Sequence, residues 1–300
     1  MIPIVYHPEY VSPLPAGHRF PMEKFSQLYQ ILRSEGLASD HNTRFPERAD
    51  DSDLELVHDS EYVHAFTAGT LSDRASRRIG LPWSPALVAR TKRAVGGTLL
   101  TARLALRHGI ALNTAGGTHH AHPSFGSGFC IFNDLAVTAR RLLLDGVVER
   151  MLIFDLDVHQ GDGTAAAFHD DRRVFCADIH CRENFPFHKQ SPTLNVALPA
   201  GTSDDAYLRE VGSVLDRAVD TVRPDLVLYD AGVDVFHGDR LGKFQVTADG
   251  IEQRDRLVLS RLAAYGIPVA AVIGGGYQKD IEQLSLLHAT IHRVAASLSF

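Results

Sequence analysis

Four stretches of this chain share one design, and together they constrain the fold more than anything else in it. Each is a near-continuous apolar run that ends in glycine or in a residue able to do chemistry. Ala111–Ala115 leads into Gly116-Gly117-Thr118-His119-His120, and Leu152–Phe154 leads into Asp155-Leu156-Asp157-Val158-His159-Gln160-Gly161-Asp162-Gly163. Leu226–Tyr229 leads into Asp230-Ala231-Gly232-Val233-Asp234, and Val269–Ile273 leads into Gly274-Gly275-Gly276-Tyr277. Runs apolar at every position, rather than at alternate ones, read as strands covered on both faces. Strands are expected at Ile2–Tyr6, Ile110–Ala115, Met151–Asp157, Val174–Ile179, Leu194–Leu198, Leu226–Ala231 and Pro268–Ile273. Helical patterns lie between most of them, at Met22–Ser34, Pro85–His108, Asp134–Asp145, Asp204–Val222, Ala248–Tyr265 and Ile281–Leu298. Such alternation predicts a single α/β domain with a central, mostly parallel sheet and helices on both faces. The irregular segment 38–83 reads as surface loops.

In an open parallel sheet the carboxyl ends of the strands meet at one crevice, where ligands bind. The four motifs therefore bring imidazoles, carboxylates and a phenol to one place. In an extended chain Asp155, Asp157 and His159 project the same way. Asp157 and His159 can grip one metal ion, with Asp234 as a third ligand from another strand end. Three protein ligands with an open position is the pattern of catalytic zinc, although a mixed oxygen and nitrogen set also accepts iron(II) or cobalt(II). His119 and His120 follow two glycines, and Asp155 and Asp162 are spare acids that can fix and polarise the two rings. That is general acid–base equipment. Tyr277 sits on a three-glycine loop, which lacks the spacing of a dinucleotide fingerprint.

Taken together and in order, these motifs resemble the zinc-dependent histone deacetylase family, with Gly128-Phe129-Cys130-Ile131-Phe132-Asn133-Asp134 as a further match. The resemblance runs from His7-Pro8-Glu9 onward, so residues 1–300 read as one deacetylase-like catalytic domain. His18–Met22, Arg78–Ser84, Gly238–Gly242 and Gly276–Lys279 are most similar to class IV members and their bacterial relatives. The resemblance implies an arginase/deacetylase fold and hydrolysis of an acetyl-lysine or longer acyl-lysine amide by metal-activated water. It implies Asp157, His159 and Asp234 as zinc ligands, His119 and His120 as the histidine pair, and Asp155 and Asp162 as their partners. Tyr277 is then the transition-state tyrosine. Gly128 and Phe129 line the lysine tunnel, with a second wall from Phe185 or Phe187. The family also carries a structural potassium ion, at a site where Asp178 stands in place of a serine. No motif marks a rim aspartate for the substrate backbone, and Asp73 is the nearest candidate. An acetylpolyamine or small-amide deacetylase, and a non-catalytic acyl-lysine sensor, are the alternatives.

Composition excludes other classes. The formal charge of −6 offers no basic excess for phosphate neutralisation, so no direct nucleic-acid binding is expected. No apolar run approaches membrane-spanning length. Three cysteines, Cys130, Cys176 and Cys181, match neither a disulfide framework nor a zinc finger, and a reducing cytoplasm is the simplest home. His288 and His292, one helical turn apart, read as core or surface histidines rather than a second metal site.

Overall fold

The computed structural model describes residues 1–298. Eight parallel strands form one sheet: β1 (Ile4–Val5), β2 (Thr43–Arg44), β3 (Ile110–Asn113), β4 (Met151–Asp155), β5 (Val174–Cys181), β6 (Leu194–Leu198), β7 (Leu226–Asp230) and β8 (Val269–Val272). Their order across the sheet is β2-β1-β3-β8-β7-β4-β5-β6. The chain lays down β3 and β4 apart, builds outward through β5 and β6, and returns to fill the gap with β7 and β8. The four strands whose ends carry the motifs, β3, β8, β7 and β4, are therefore contiguous at the centre.

The apolar runs partition as two covered faces require. Leu152 and Phe154 of β4, Val227 and Tyr229 of β7, and Val269 and Ala271 of β8 enter one core. Met151 and Ile153, Leu226 and Leu228, and Ala270 and Val272 enter the opposite one. Helices α8 (Asp204–Val222), α9 (Ala248–Tyr265) and α10 (Ile281–Ser297) cover the first face. Helices α5 (Pro85–His108) and α6 (Asp134–Leu144) cover the second. Burying a strand on both sides removes the polar face that would have produced alternation. No described helix is long and apolar enough to cross a membrane.

The segment 38–83 departs from the expected loops. It holds β2 and three short helices, α2 (Asp51–Leu54), α3 (Ser60–Ala68) and α4 (Asp73–Ile79). They bury Leu54, Tyr62, Val63, Phe66 and Ile79 in a third cluster with Phe20, Phe25 and Phe129. Helices of one to three turns are too short for periodicity to declare, and packing rather than propensity stabilises them. Several strands are shorter than expected: β1 keeps two residues of Ile2–Tyr6, and β4 stops at Asp155. The three cysteines are free and buried.

Candidate active site

At the sheet's carboxyl edge, Asp155 and Asp230 are register partners on β4 and β7. Beyond them the two polypeptides turn and carry Asp157, His159 and Asp234 inward. His159 Nδ1 lies 3.0 Å from Asp157 Oδ1 and 3.1 Å from Asp234 Oδ2. All three side chains are buried, and their candidate ligand atoms fall within 4.8 Å of one another. The remaining oxygens anchor the ligands: Asp157 Oδ2 accepts the Gly275 N–H at 2.8 Å, and Asp234 Oδ1 accepts the Val158 N–H at 2.9 Å. Two carboxylates and one imidazole, buried and oriented by backbone donors, fit a divalent cation.

Asp155, read from the sequence as a spare acid, stands outside this triad. Asp155 belongs to a neighbouring group with His119 and Asp230. Asp155 Oδ2 lies 2.7 Å from His119 Nδ1, and its Oδ1 accepts the Asp157 N–H at 3.1 Å. His120 Nδ1 lies 2.6 Å from Asp162 Oδ1. Each imidazole thus has one of the two spare acids as its partner. The two rings diverge electrically. Burial lowers the pKa of His119, but the charges of Asp155 and Asp157 more than offset it and hold the ring well above the ordinary histidine value. Burial and then the charge on His119 push His120 down to about 4. The two adjacent rings are thus driven in opposite directions.

Loop anchors explain how adjacent histidines both face inward. Asp134, at the start of α6, accepts N–H bonds from Gly117 at 3.1 Å and Thr118 at 2.7 Å. Asn133 Nδ2 reaches the carbonyls of His119 at 3.4 Å and Ala121 at 3.3 Å. Asp239 does the same for the tyrosine loop, accepting the Tyr277 N–H at 2.6 Å.

A cavity of about 400 Å3 descends to this site between Phe129, Phe185 and Tyr277, with His120 and His159 at its buried end. Phe185 packs edge-on against His120, with ring centroids 4.8 Å apart, whereas Phe187 is exposed, so Phe185 is the second wall. Gly128 has φ +54°, and a Cβ there would stand 2.7 Å from His120 Cδ2, which only glycine avoids. A smaller cavity of about 30 Å3 lies behind the site, among Phe20, Lys24, Phe25, Arg90 and Tyr277.

Several residues here escaped the sequence reading. Lys24 on α1 (Lys24–Ser34) is buried, donates to the carbonyl of Gly274 at 3.1 Å, and has its pKa lowered to about 8 by burial. His122 Nε2 lies 2.9 Å from Asp162 Oδ2, so one carboxylate serves two imidazoles. Asp230 is buried with neither oxygen hydrogen-bonded, and burial and then the Asp155 charge push its carboxyl well above the usual range. Lys24 gave no local signal, Asp230 opened one of the four motifs but was assigned no role, and His122 stood two residues beyond a recognised pair. Asp73 lies outside the tunnel lining, and Arg78 of the same helix lines it instead. His288 and His292 are buried on α10, outside the metal-competent groups found among the described residues. Asp178 Oδ2 accepts the Gly161 N–H at 2.7 Å, and its Oδ1 lies 2.6 Å from His180 Nδ1.

A parallel sheet that presents a buried metal-competent triad and two carboxylate-bound imidazoles at the foot of a tunnel defines a class of hydrolase site. A family profile described as "Histone deacetylase domain" matches residues 18–292, and the chain belongs to that family. It is 54% identical to an uncharacterized protein of Picosynechococcus sp. over 98% of both chains. It is 32% identical to histone deacetylase 2 of Arabidopsis thaliana, over 88% of this chain and 70% of that one. Acetoin utilization protein AcuC of Staphylococcus aureus is 29% identical, over 86% and 72%. Among solved structures, a histone deacetylase homologue complexed with SAHA superposes with a TM-score of 0.82 at 24% identity, covering 97% of this chain and 84% of that one. The HD domain of HDA15 gives 0.83 at 21%, covering 99% and 88%. At those identities the likeness is one of fold: the parallel α/β architecture that the strand pattern predicted, in the arginase/deacetylase form that the resemblance implied.

Proposed function

We propose that this protein is a zinc-dependent lysine deacetylase, with Asp157, His159 and Asp234 as the metal ligands. The observation that carries the reading is the convergence, at the buried end of one narrow tunnel, of this triad with the His120–Asp162 pair and Tyr277. A divalent ion held there would supply Lewis-acid polarisation of the amide carbonyl and a more acidic water. The lysine stem lies between Phe129 and Phe185, whose rings exclude solvent from its methylenes. His120, a free base at neutral pH, takes a proton from the attacking water and returns it to the departing lysine nitrogen. Asp162 holds the His120 ring through Nδ1 and leaves Nε2 for the proton. His119, held through Nδ1 by Asp155, stands beside His120 as an electrostatic partner for the negative charge that develops on the carbonyl oxygen. The Tyr277 hydroxyl donates to that oxygen, and the Asp239 bond to its backbone fixes the loop.

The cavity behind the site favours acetyl over longer chains. Its volume of about 30 Å3 leaves room for no more than a few water-sized groups. An octanoyl chain would also have to lie against the Lys24 and Arg90 cations, which an apolar group cannot solvate. The test uses zinc-loaded protein and one peptide carrying acetyl-, butyryl-, octanoyl- or myristoyl-lysine. Acetyl should be removed fastest. Tyr277→Phe should fold, keep zinc and bind the peptide, with kcat lower by about 10²–10³-fold, the usual worth of one oxyanion donor. Normal turnover by Tyr277→Phe would remove the phenol from the mechanism. Peptide binding by wild type without any release of product would favour the sensor.

A further inference from the structure

The tunnel wall is apolar, but its mouth is cationic. Arg19 and Arg78 both line the cavity and are exposed, whereas His120 and His159 at its far end are buried. Among the described residues neither guanidinium has a carboxylate partner, and each rests on an aromatic ring instead. Arg19 Cζ lies 5.1 Å from the Phe129 centroid, and Arg78 Cζ lies 4.4 Å from that of Phe125. A ring supports the flat face of a guanidinium and leaves its N–H edge free for a planar anion. The nearby carboxylates are not available to neutralise them. Asp239 spends its oxygens on the N–H groups of Tyr277, Leu241 and Gly242, and Asp73 lies outside the cavity. Helix α4 adds exposed Arg74 and Arg77 beside Arg78. This cationic mouth belongs to a chain of formal charge −6, so it does not reflect a general basic excess.

We propose that the preferred substrate is an acyl-lysine with a carboxylate beside the acylated residue, and that Arg19 and Arg78 select it. The proposal rests on the deacetylase reading and names the substrate class. The carboxylate can be a neighbouring Asp or Glu side chain in a peptide, or the α-carboxylate of a terminal acyl-lysine. Either offers two oxygens to a guanidinium fork. An acetylated polyamine would instead bring further ammonium groups against the two arginines, so that substrate class is disfavoured at this mouth.

The experiment compares zinc-loaded full-length protein on acetyl-lysine peptides that differ only in their flanks, which are Glu, Gln or Lys. A further pair ends in acetyl-lysine with a free carboxylate or an amide, and acetylated polyamine completes the set. Binding is followed by anisotropy and turnover by product release, at low and high salt. Acidic flanks should raise kcat/KM over Gln flanks by about 3–10-fold, the scale of one or two solvent-exposed pairs. Lys flanks and polyamine should fall below Gln, and the spread should shrink as salt screens the charges. Arg19→Gln/Arg78→Gln should collapse the acidic-to-neutral ratio towards one, and Arg78→Glu should shift preference towards Lys flanks. A preference confined to the terminal pair identifies the α-carboxylate as the source. Equal handling of all flanks and both termini in binding and turnover, or a preference for Lys or polyamine, overturns the proposal while leaving a deacetylase. Tighter binding of acidic peptides without turnover of any peptide overturns the enzyme reading and leaves the selectivity standing.

Discussion

Replacing Gly275 by alanine should disable the metal site without touching a ligand. A Cβ at this position would stand 2.2 Å from Asp234 Oδ2 and 2.3 Å from Asp157 Oδ2. Ordinary carbon–oxygen contact requires each oxygen to retreat by about 1 Å. Metal–ligand distances tolerate only about 0.2 Å, so two of three ligands would be displaced by roughly five times that margin. Gly275 has no left-handed φ, unlike Gly274 at +59° and Gly276 at +157°, so backbone strain does not confound the substitution. The substitution keeps the backbone N–H, but its 2.8 Å bond to Asp157 Oδ2 is strained as that oxygen retreats, which adds to the loss. The cost in fold stability should be that of local overpacking, about 1–3 kcal/mol. Zinc affinity should fall by at least the roughly 10–100-fold seen when outer contacts of a metal site are lost, and turnover with it. Competition against a graded chelator gives the affinity, and urea unfolding of the metal-free protein gives the stability. Wild-type zinc affinity and turnover in Gly275→Ala would mean that Asp157 and Asp234 do not hold the metal together.

His122→Ala removes one of the two imidazoles on Asp162 and should lower kcat by a few-fold, well short of the roughly 10²–10⁴-fold expected when a proton shuttle is lost. An unchanged kcat would show that His120 alone positions that carboxylate. Acid should destabilise the fold through histidines remote from the metal ligands. Burial pushes His58 and His292 down to about 4 each, so between that pH and about 6.5 the unfolded chain binds protons that the folded one refuses. Their stabilisation is complete above pH 6.5 and is lost as pH falls towards 4. By pH 5 each should have cost about 2 kcal/mol. Urea unfolding of metal-free His292→Leu should show that much less loss between pH 7 and 5 than wild type, and identical losses would refute the assignment.

How much of this was legible beforehand follows from the range of each signal. The two-sided sheet was, because an apolar residue at every strand position is a local pattern, and β3, β4, β7 and β8 carry it. That Asp155 and Asp162 would stand near His119 and His120 followed from motifs lying at strand ends of one sheet, and the structure assigned one acid to each ring. The small elements of segment 38–83 were not legible: β2 has two residues and α2 four, about one period each and too few to show a repeat. Nor was Lys24, whose carbonyl partner on Gly274 is 250 residues away and whose own surroundings read as an ordinary first helical turn. Choosing Phe185 over Phe187, and putting Arg78 rather than Asp73 at the tunnel mouth, needed the packing of distant loops. Sequence alone determined the fold class and the chemistry available to the site, since both depend on residue type and short-range spacing. Tertiary structure alone decided which acid pairs with which imidazole, how much room lies behind the site, and what charge guards its mouth. Those depend on distances between segments that the chain order does not encode locally.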